Sequence, residues 1–120
     1  MKLLYNTGIK AYYLMVKLAS LRNRKARLWL EGRRDIFSRL QNSIQPGEPL
    51  LWFHASSLGE FEQGRPVIEA IKKNHSQYKI LLTFFSPSGY EVRKNYEYAD
   101  YVFYLPLDTP KNANLFLDIV

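Results

Sequence analysis

The sequence predicts an α/β domain, a parallel sheet with flanking helices, preceded by an N-terminal amphipathic helix. Two observations predict it. From Leu50 to Val120, short apolar runs alternate with stretches of helical spacing. Ahead of them lies a segment that differs in both charge and apolar periodicity. The 120 residues fit one compact domain.

Residues 3–21 come first. Tyr5, Ile9, Tyr12, Val16 and Ala19 recur at spacings of four and three, an apolar stripe on a helix. Lys10 and Lys17 stand seven apart on one face and interrupt the apolar stretch. The segment is too polar for a span of about 20 apolar residues. No small-residue cleavage site follows it, as a signal peptide would require. A helix lying in the headgroup region is expected, and its tyrosines suit that depth. The alternative is a helix that packs its stripe on the domain's own core.

Charge supports a special role for this region. Residues 1–34 carry nine Lys/Arg against one acid, Glu31, a net charge of +8. Residues 35–120 carry eight basic and ten acidic side chains, a net charge of −2. A basic arm on a slightly acidic body points to an anionic partner. An anionic membrane surface is expected to meet residues 1–34, each nearby Lys/Arg adding about 1 kcal/mol. Nucleic acid is not the expected partner, because no recognised binding motif accompanies the arm.

The rest follows in order. Asp35 to Leu40 reads as a short helical piece. Ile44-Gln45-Pro46-Gly47-Glu48-Pro49 breaks the chain, dividing an arm, 1–46, from an α/β domain, 47–120. Leu50 to His54 suits a buried strand. Glu60 to Asn74 places Phe61, Val67, Ile68 and Ile71 at helical spacing. Tyr78 to Phe85 reads as a second strand and Tyr90 to Tyr96 as a helix. Tyr101 to Leu105 is a third strand. Thr109 and Pro110 then mark N-cap and first turn of a helix from Lys111 to Leu117 or beyond. This order gives a Rossmann-like parallel sheet covered on both faces.

Such sheets place their chemistry beyond the carboxyl ends of the strands. The loops there are 54–60, 85–89 and 105–109. In the first, Ser56 and Ser57 lead into a helix, whose free N–H groups suit an anion or hydroxyl. Gly59 lets a ligand approach the backbone. Glu60 falls in the first helical turn, where a carboxylate could take a proton from a hydroxyl nucleophile. Acids in a first turn are also favoured by the helix dipole alone, and spacing favours that plainer reading. Ser86, Ser88 and Gly89 form a second candidate turn with hydroxyls and a helix start. Arg65 could reach a phosphate, although a single helical arginine is usually solvated. His54 is expected to serve the core or orient its loop. With no cysteine and only His54 and His75, no conventional zinc site is expected. No nucleotide-binding glycine fingerprint is present, and no cofactor is called for.

Three runs together resemble one family. They are Trp52-Phe53-His54-Ala55-Ser56-Ser57-Leu58-Gly59-Glu60, the Thr83…Ser86-Pro87-Ser88-Gly89 turn, and Tyr104-Leu105-Pro106-Leu107-Asp108. In this order and spacing they resemble 3-deoxy-D-manno-octulosonic acid (Kdo) transferases, and the basic N-terminus is similar to that family's membrane anchor. The resemblance implies the N-terminal half of a two-domain glycosyltransferase of the GT-B type. It implies a lipid A precursor as acceptor, and CMP-Kdo as donor on a C-terminal domain absent from these residues. It implies metal-independent, inverting transfer at the cytoplasmic face of the inner membrane. Glu60 becomes the general base, with Ser56, Ser57, Gly59, Ser86, Ser88 and Gly89 around the acceptor. The 120 residues alone are expected to be inactive. The alternative is a non-catalytic, membrane-associated α/β ligand-binding module.

Overall fold

A computed structural model describes residues 2–120. Its elements are α1 (Lys2–Ala19), α2 (Arg24–Gly32), α3 (Ile36–Ser43), β1 (Leu50–Ala55), α4 (Leu58–Asn74), β2 (Lys79–Phe84), α5 (Pro87–Arg93), β3 (Tyr101–Tyr104) and α6 (Pro110–Ile119). The three strands form one parallel sheet in the order β1-β2-β3. The α/β class with a Rossmann-like sheet is therefore observed.

β1 and β2 pair in register from Leu50 opposite Lys79 to Ala55 opposite Phe84. β2 and β3 pair from Leu81 opposite Tyr101 to Phe84 opposite Tyr104. Strand side chains alternate between faces, so β2 feeds two cores. Ile80, Leu82 and Phe84 meet Phe61 and Ile68 of α4, with Tyr96 just past α5. Leu81 meets Ile36 and Leu40 of α3, then Ile44, and Phe116 of α6. Burying one such side chain contributes about 1.5–3 kcal/mol. Helices α4 and α5 thus cover one face, and α3 and α6 the other.

The apolar run at Leu50 to His54 does not become a buried strand. β2 is the central one, buried from Ile80 through Phe84, whereas β1 is an edge strand and Trp52 remains 43% exposed. Composition alone cannot separate a central strand from an edge strand with one partly covered face.

Several boundaries shift for a common reason. The helices expected from Glu60 and Tyr90 start earlier, at Leu58 and Pro87, because Ser57 and Ser86 are their N-caps. The helix beginning at Pro110 is confirmed, with Thr109 Oγ1 accepting from the Asn112 N–H at 3.2 Å. A helix not expected at all is α2. Asn23 caps it, its Oδ1 accepting from the N–H groups of Lys25 (2.8 Å) and Ala26 (3.4 Å).

Helix α1 touches the body along part of its stripe, and none of its residues is buried. Its tyrosines contact the body yet stay exposed, Tyr5 at 49%, Tyr12 at 43% and Tyr13 at 40%. The Tyr12 ring packs on Trp29 and Phe85, with centroids 5.8 and 6.3 Å away. Tyr5 donates to the Asp108 carboxylate at 2.5 Å. The outward surface instead carries Leu3, Leu14, Met15 and Leu18, with Leu3 81% exposed. Among the described residues, no helix is long and apolar enough to cross a membrane.

Candidate functional site

The site grows from the carboxyl ends of β1 and β2. Backbone bonds tie their loops together: Phe85 N–H donates to Ala55 O at 3.3 Å, and Ser86 N–H to Ser56 O at 3.1 Å. The loops 54–60 and 85–89 are therefore one surface. The third joins through Leu105 N–H, which donates to Phe84 O at 2.9 Å.

Glu60 is held by a reciprocal cap. Ser57 Oγ accepts from the Glu60 N–H at 3.4 Å. The Glu60 Oε1 accepts from the Ser56 N–H at 3.2 Å. The Ser57 bond is half of a Ser-x-x-Glu capping box; the carboxylate closes the other half on the N–H of Ser56, one residue before the cap, rather than on that of Ser57. The side chain is exposed. One carboxylate oxygen is thus anchored, while among the described residues no hydrogen bond holds the other. The anchor fixes where a proton acceptor would stand.

His54 stands beside it. Burial pushes its imidazole below the usual histidine range, and the Glu60 carboxylate pulls the other way. A histidine shifted downward is neutral at pH 7. Trp52 Nε1–H donates to the fully buried Thr83 Oγ1 at 2.9 Å, and that oxygen lies 2.9 Å from His54 Nδ1. A neutral imidazole offers one acceptor nitrogen, and the Thr83 hydroxyl is placed to donate to it. His54 therefore orients the strand end, as its position suggested.

The remaining candidates divide. Ser56 and Gly59 are exposed, and a side chain at Gly59 would meet open space. Ser57 is occupied as a cap. Ser86 Oγ and Ser88 Oγ are 2.7 Å apart, a hydroxyl pair on the surface. Gly89 is buried, and a methyl group there would run into the Phe84 ring. Its missing side chain lets α5 sit on β2. Arg65 is engaged with Glu69 and Glu62, at 3.3 and 3.5 Å. Among the described residues, no group of acids and histidines is arranged to hold a metal ion.

One residue at the site had been counted only as arm charge. Arg33 follows α2 and turns its guanidinium onto the strand ends. Nε donates to Leu105 O (2.9 Å), Nη2 to Phe85 O (2.7 Å) and Nη1 to Trp29 O (3.1 Å). Its charge lies 4.0 Å from the Trp29 ring centre, 4.9 Å from Tyr104 and 5.2 Å from Phe85. Burial pushes it down to about 10. Arg33 fastens α2 across two of the three loops, a role no local sequence signal announces.

A family model described as 3-deoxy-D-manno-octulosonic-acid transferase (kdotransferase) matches residues 22–120. The chain belongs to the Kdo transferase family. A 3-deoxy-D-manno-octulosonic acid transferase of Aquifex aeolicus is 34% identical over 80 residues, covering 66% of this chain and 22% of the relative. A probable mitochondrial 3-deoxy-D-manno-octulosonic acid transferase of Arabidopsis thaliana is 38% identical over 77 residues, 63% of this chain and 17% of the relative. A 3-deoxy-D-manno-octulosonic acid transferase of Haemophilus influenzae is 32% identical over 81 residues, 66% of this chain and 19% of the relative. The chain thus spans about a fifth of the length of these relatives. No solved structure matches it. The Kdo transferase match takes in α2, with Arg33, and every candidate site residue. Helix α1 lies outside it.

Proposed function

We propose that this chain is the acceptor-side part of a Kdo transferase and that Glu60 is its general base. The observation that carries the reading is an exposed carboxylate, anchored by the Ser56 N–H, beyond the carboxyl end of β1. In this reading a hydroxyl of a lipid A precursor enters over loops 54–60 and 85–89. Glu60 takes its proton as the oxygen attacks the anomeric carbon of Kdo. The carbon–oxygen bond to CMP breaks, and CMP leaves with the electron pair. Attack from the opposite side inverts that carbon. CMP-Kdo would sit on a second domain of the parent, in the GT-B manner, and the step needs no metal. The 120 residues by themselves would not transfer Kdo, since positioning donor against acceptor is most of the catalysis.

Association with the cytoplasmic face of the inner membrane belongs to the same reading. Leu3, Leu14, Met15 and Leu18 face outward from α1, on a segment of high positive charge. An apolar cleft of about 390 Å³ runs between α1 and α2 and reaches Ser86, a path suited to an acyl chain.

A second reading has one observation in its favour. The cap bonds alone account for a glutamate at position 60, which would make the chain a non-catalytic binding module. Glu60→Gln in the full-length parent separates the two. Glutamine still serves in this cap, so folding should be unchanged. Turnover should fall by about 10²–10⁴-fold if Glu60 is the base. Near-normal turnover would leave only the cap.

A further inference from the structure

On the reading of Glu60 as the base, we propose that His54 is a second catalytic residue, its Nε2–H donating to the acceptor hydroxyl oxygen whose proton Glu60 takes. Thr83 and Trp52 are its positioning residues. They hold the ring in the tautomer that leaves a hydrogen on Nε2.

Strand geometry brings the three together. Trp52 and His54 stand two apart on β1 and share a face. The register sets His54 opposite Thr83 of β2. Thr83 is the buried polar side chain of the core, with no exposed surface. Its Oγ1 accepts from Trp52 Nε1–H at 2.9 Å and lies 2.9 Å from His54 Nδ1. The Trp52 ring is braced in turn by Phe116, with centroids 4.9 Å apart. An indole N–H can only donate, and a hydroxyl has one proton to give. Among the described residues, His54 Nδ1 is the one acceptor placed for that proton. A bond in the other sense, from Nδ1–H to Oγ1, would leave a fully buried hydroxyl proton unpaired, which folded proteins avoid. Nδ1 therefore accepts, and the neutral ring carries its hydrogen on Nε2.

That hydrogen is free for a ligand. His54 is exposed at the strand end, and among the described residues no hydrogen bond engages Nε2. The Glu60 carboxylate is anchored on the N–H of Ser56, two residues beyond His54. Imidazole and carboxylate thus flank one short turn. Burial of the ring favours its neutral form and Arg33 acts in the same sense, against the Glu60 carboxylate and the Thr83 backbone. Neutrality suits the role. An imidazolium would pair with Glu60 and weaken it as a base. A neutral N–H leaves the base alone, and its bond strengthens as negative charge gathers on the oxygen. His54 itself exchanges no proton: Glu60 takes the hydroxyl proton, and the oxygen's electron pair goes to the anomeric carbon.

Two measurements test this. In the full chain with ¹⁵N-labelled histidine, long-range ¹H–¹⁵N spectra at neutral pH read which His54 nitrogen carries the hydrogen. Nε2 is expected. Thr83→Val keeps shape and burial but removes the hydroxyl, and should give mixed tautomers; Thr83→Ser should restore the single form. Circular dichroism checks folding, and the unsubstituted spectrum decides even if Thr83→Val does not fold. Hydrogen on Nδ1 overturns the relay. In the full-length parent, His54→Phe should lower kcat about tenfold or more, as for losing one hydrogen bond in the transition state. Thr83→Val should lower kcat by a smaller factor, most of it regained by Thr83→Ser. A merely structural His54 would lower the denaturation midpoint and leave kcat of the folded enzyme unchanged, and that result overturns the proposal. Normal turnover with Glu60→Gln would end the base reading, whereas Nδ1–H or an unchanged kcat with His54→Phe ends this one, so the two failures are distinct.

Discussion

Arg33→Met tests whether one side chain holds the N-terminal helices to the strand ends. The substitution keeps most of the aliphatic stem and removes the guanidinium. Three carbonyls then lose donors at 2.7–3.1 Å: those of Phe85, Leu105 and Trp29. A hydrogen bond involving a charged group is worth about 1.5–3 kcal/mol. Each ring contact adds roughly 0.5–1 kcal/mol. Against this stands the burial of the cation, whose depression to about 10 corresponds to roughly 3 kcal/mol. These contributions act as a unit and do not add in full. The expected net loss is about 2–3 kcal/mol, a large part of the stability of a small domain. Urea denaturation of the full chain should show the midpoint fall with the slope unchanged. Arg33→Lys should recover little, because an ammonium cannot reach three diverging carbonyls. A loss under about 0.5 kcal/mol, the range of ordinary surface changes, would refute the reasoning. It would mean that water serves those carbonyls as well as Arg33 does.

Two more outcomes are expected. His54 has a folded-state value below that of the unfolded chain, chiefly through burial. The unfolded state therefore binds the proton first. Its contribution is full above about pH 6.5 and is lost as pH falls through that value toward the folded one; in denaturation curves at a series of pH values, His54→Gln should flatten this part of the profile. Burial alone would raise the Asp100 carboxyl, but the Lys72 hydrogen bond, the Ile80 N–H and the charges of Lys72 and Lys79 outweigh it, so its loss of stability belongs to lower pH. Replacing Leu14 and Leu18 with glutamate should release the chain from anionic vesicles in a flotation assay, because both side chains point outward. Unchanged flotation would remove α1 as the membrane surface.

The local signals were legible where a residue acts on its own backbone. Thr109 and Pro110 announced α6, and alternation of apolar and helical stretches announced the sheet. Two starts were misplaced although the signals were present. Ser57-x-x-Glu60 has the sequence of a capping box and Ser86-Pro87 that of a cap followed by a first-turn proline, yet apolar periodicity begins later in both helices. Helix α2 was hidden for a different reason. Arg24-Lys25-Ala26-Arg27 reads as charge, and its one fully buried side chain, Trp29, gives no stripe. Asn23 was the available sign. The orientation of α1 and the reach of Arg33 depend on contacts between residues far apart in the chain. No spacing rule contains them. For Glu60, sequence gave the position, and only the fold revealed that the cap bond and the proposed base share one carboxylate.

The side of the sheet on which α6 packs has a consequence for topology. In parallel sheets about 98% of crossovers are right-handed, which links the side of a connecting helix to its direction of travel. From β1 to β2 to β3 the chain moves one way, with α4 and α5 on one face. Helix α6 leaves β3 on the other face. A parallel strand reached through it keeps that handedness only by turning back past β1 and pairing with its open edge. The strand order would become 3-2-1-4, and the winding would reverse beside β1. Open sheets bind their ligands at such a reversal. The segment leaving β1 at that point is Ser56-Ser57, and the first carboxylate beyond it is Glu60.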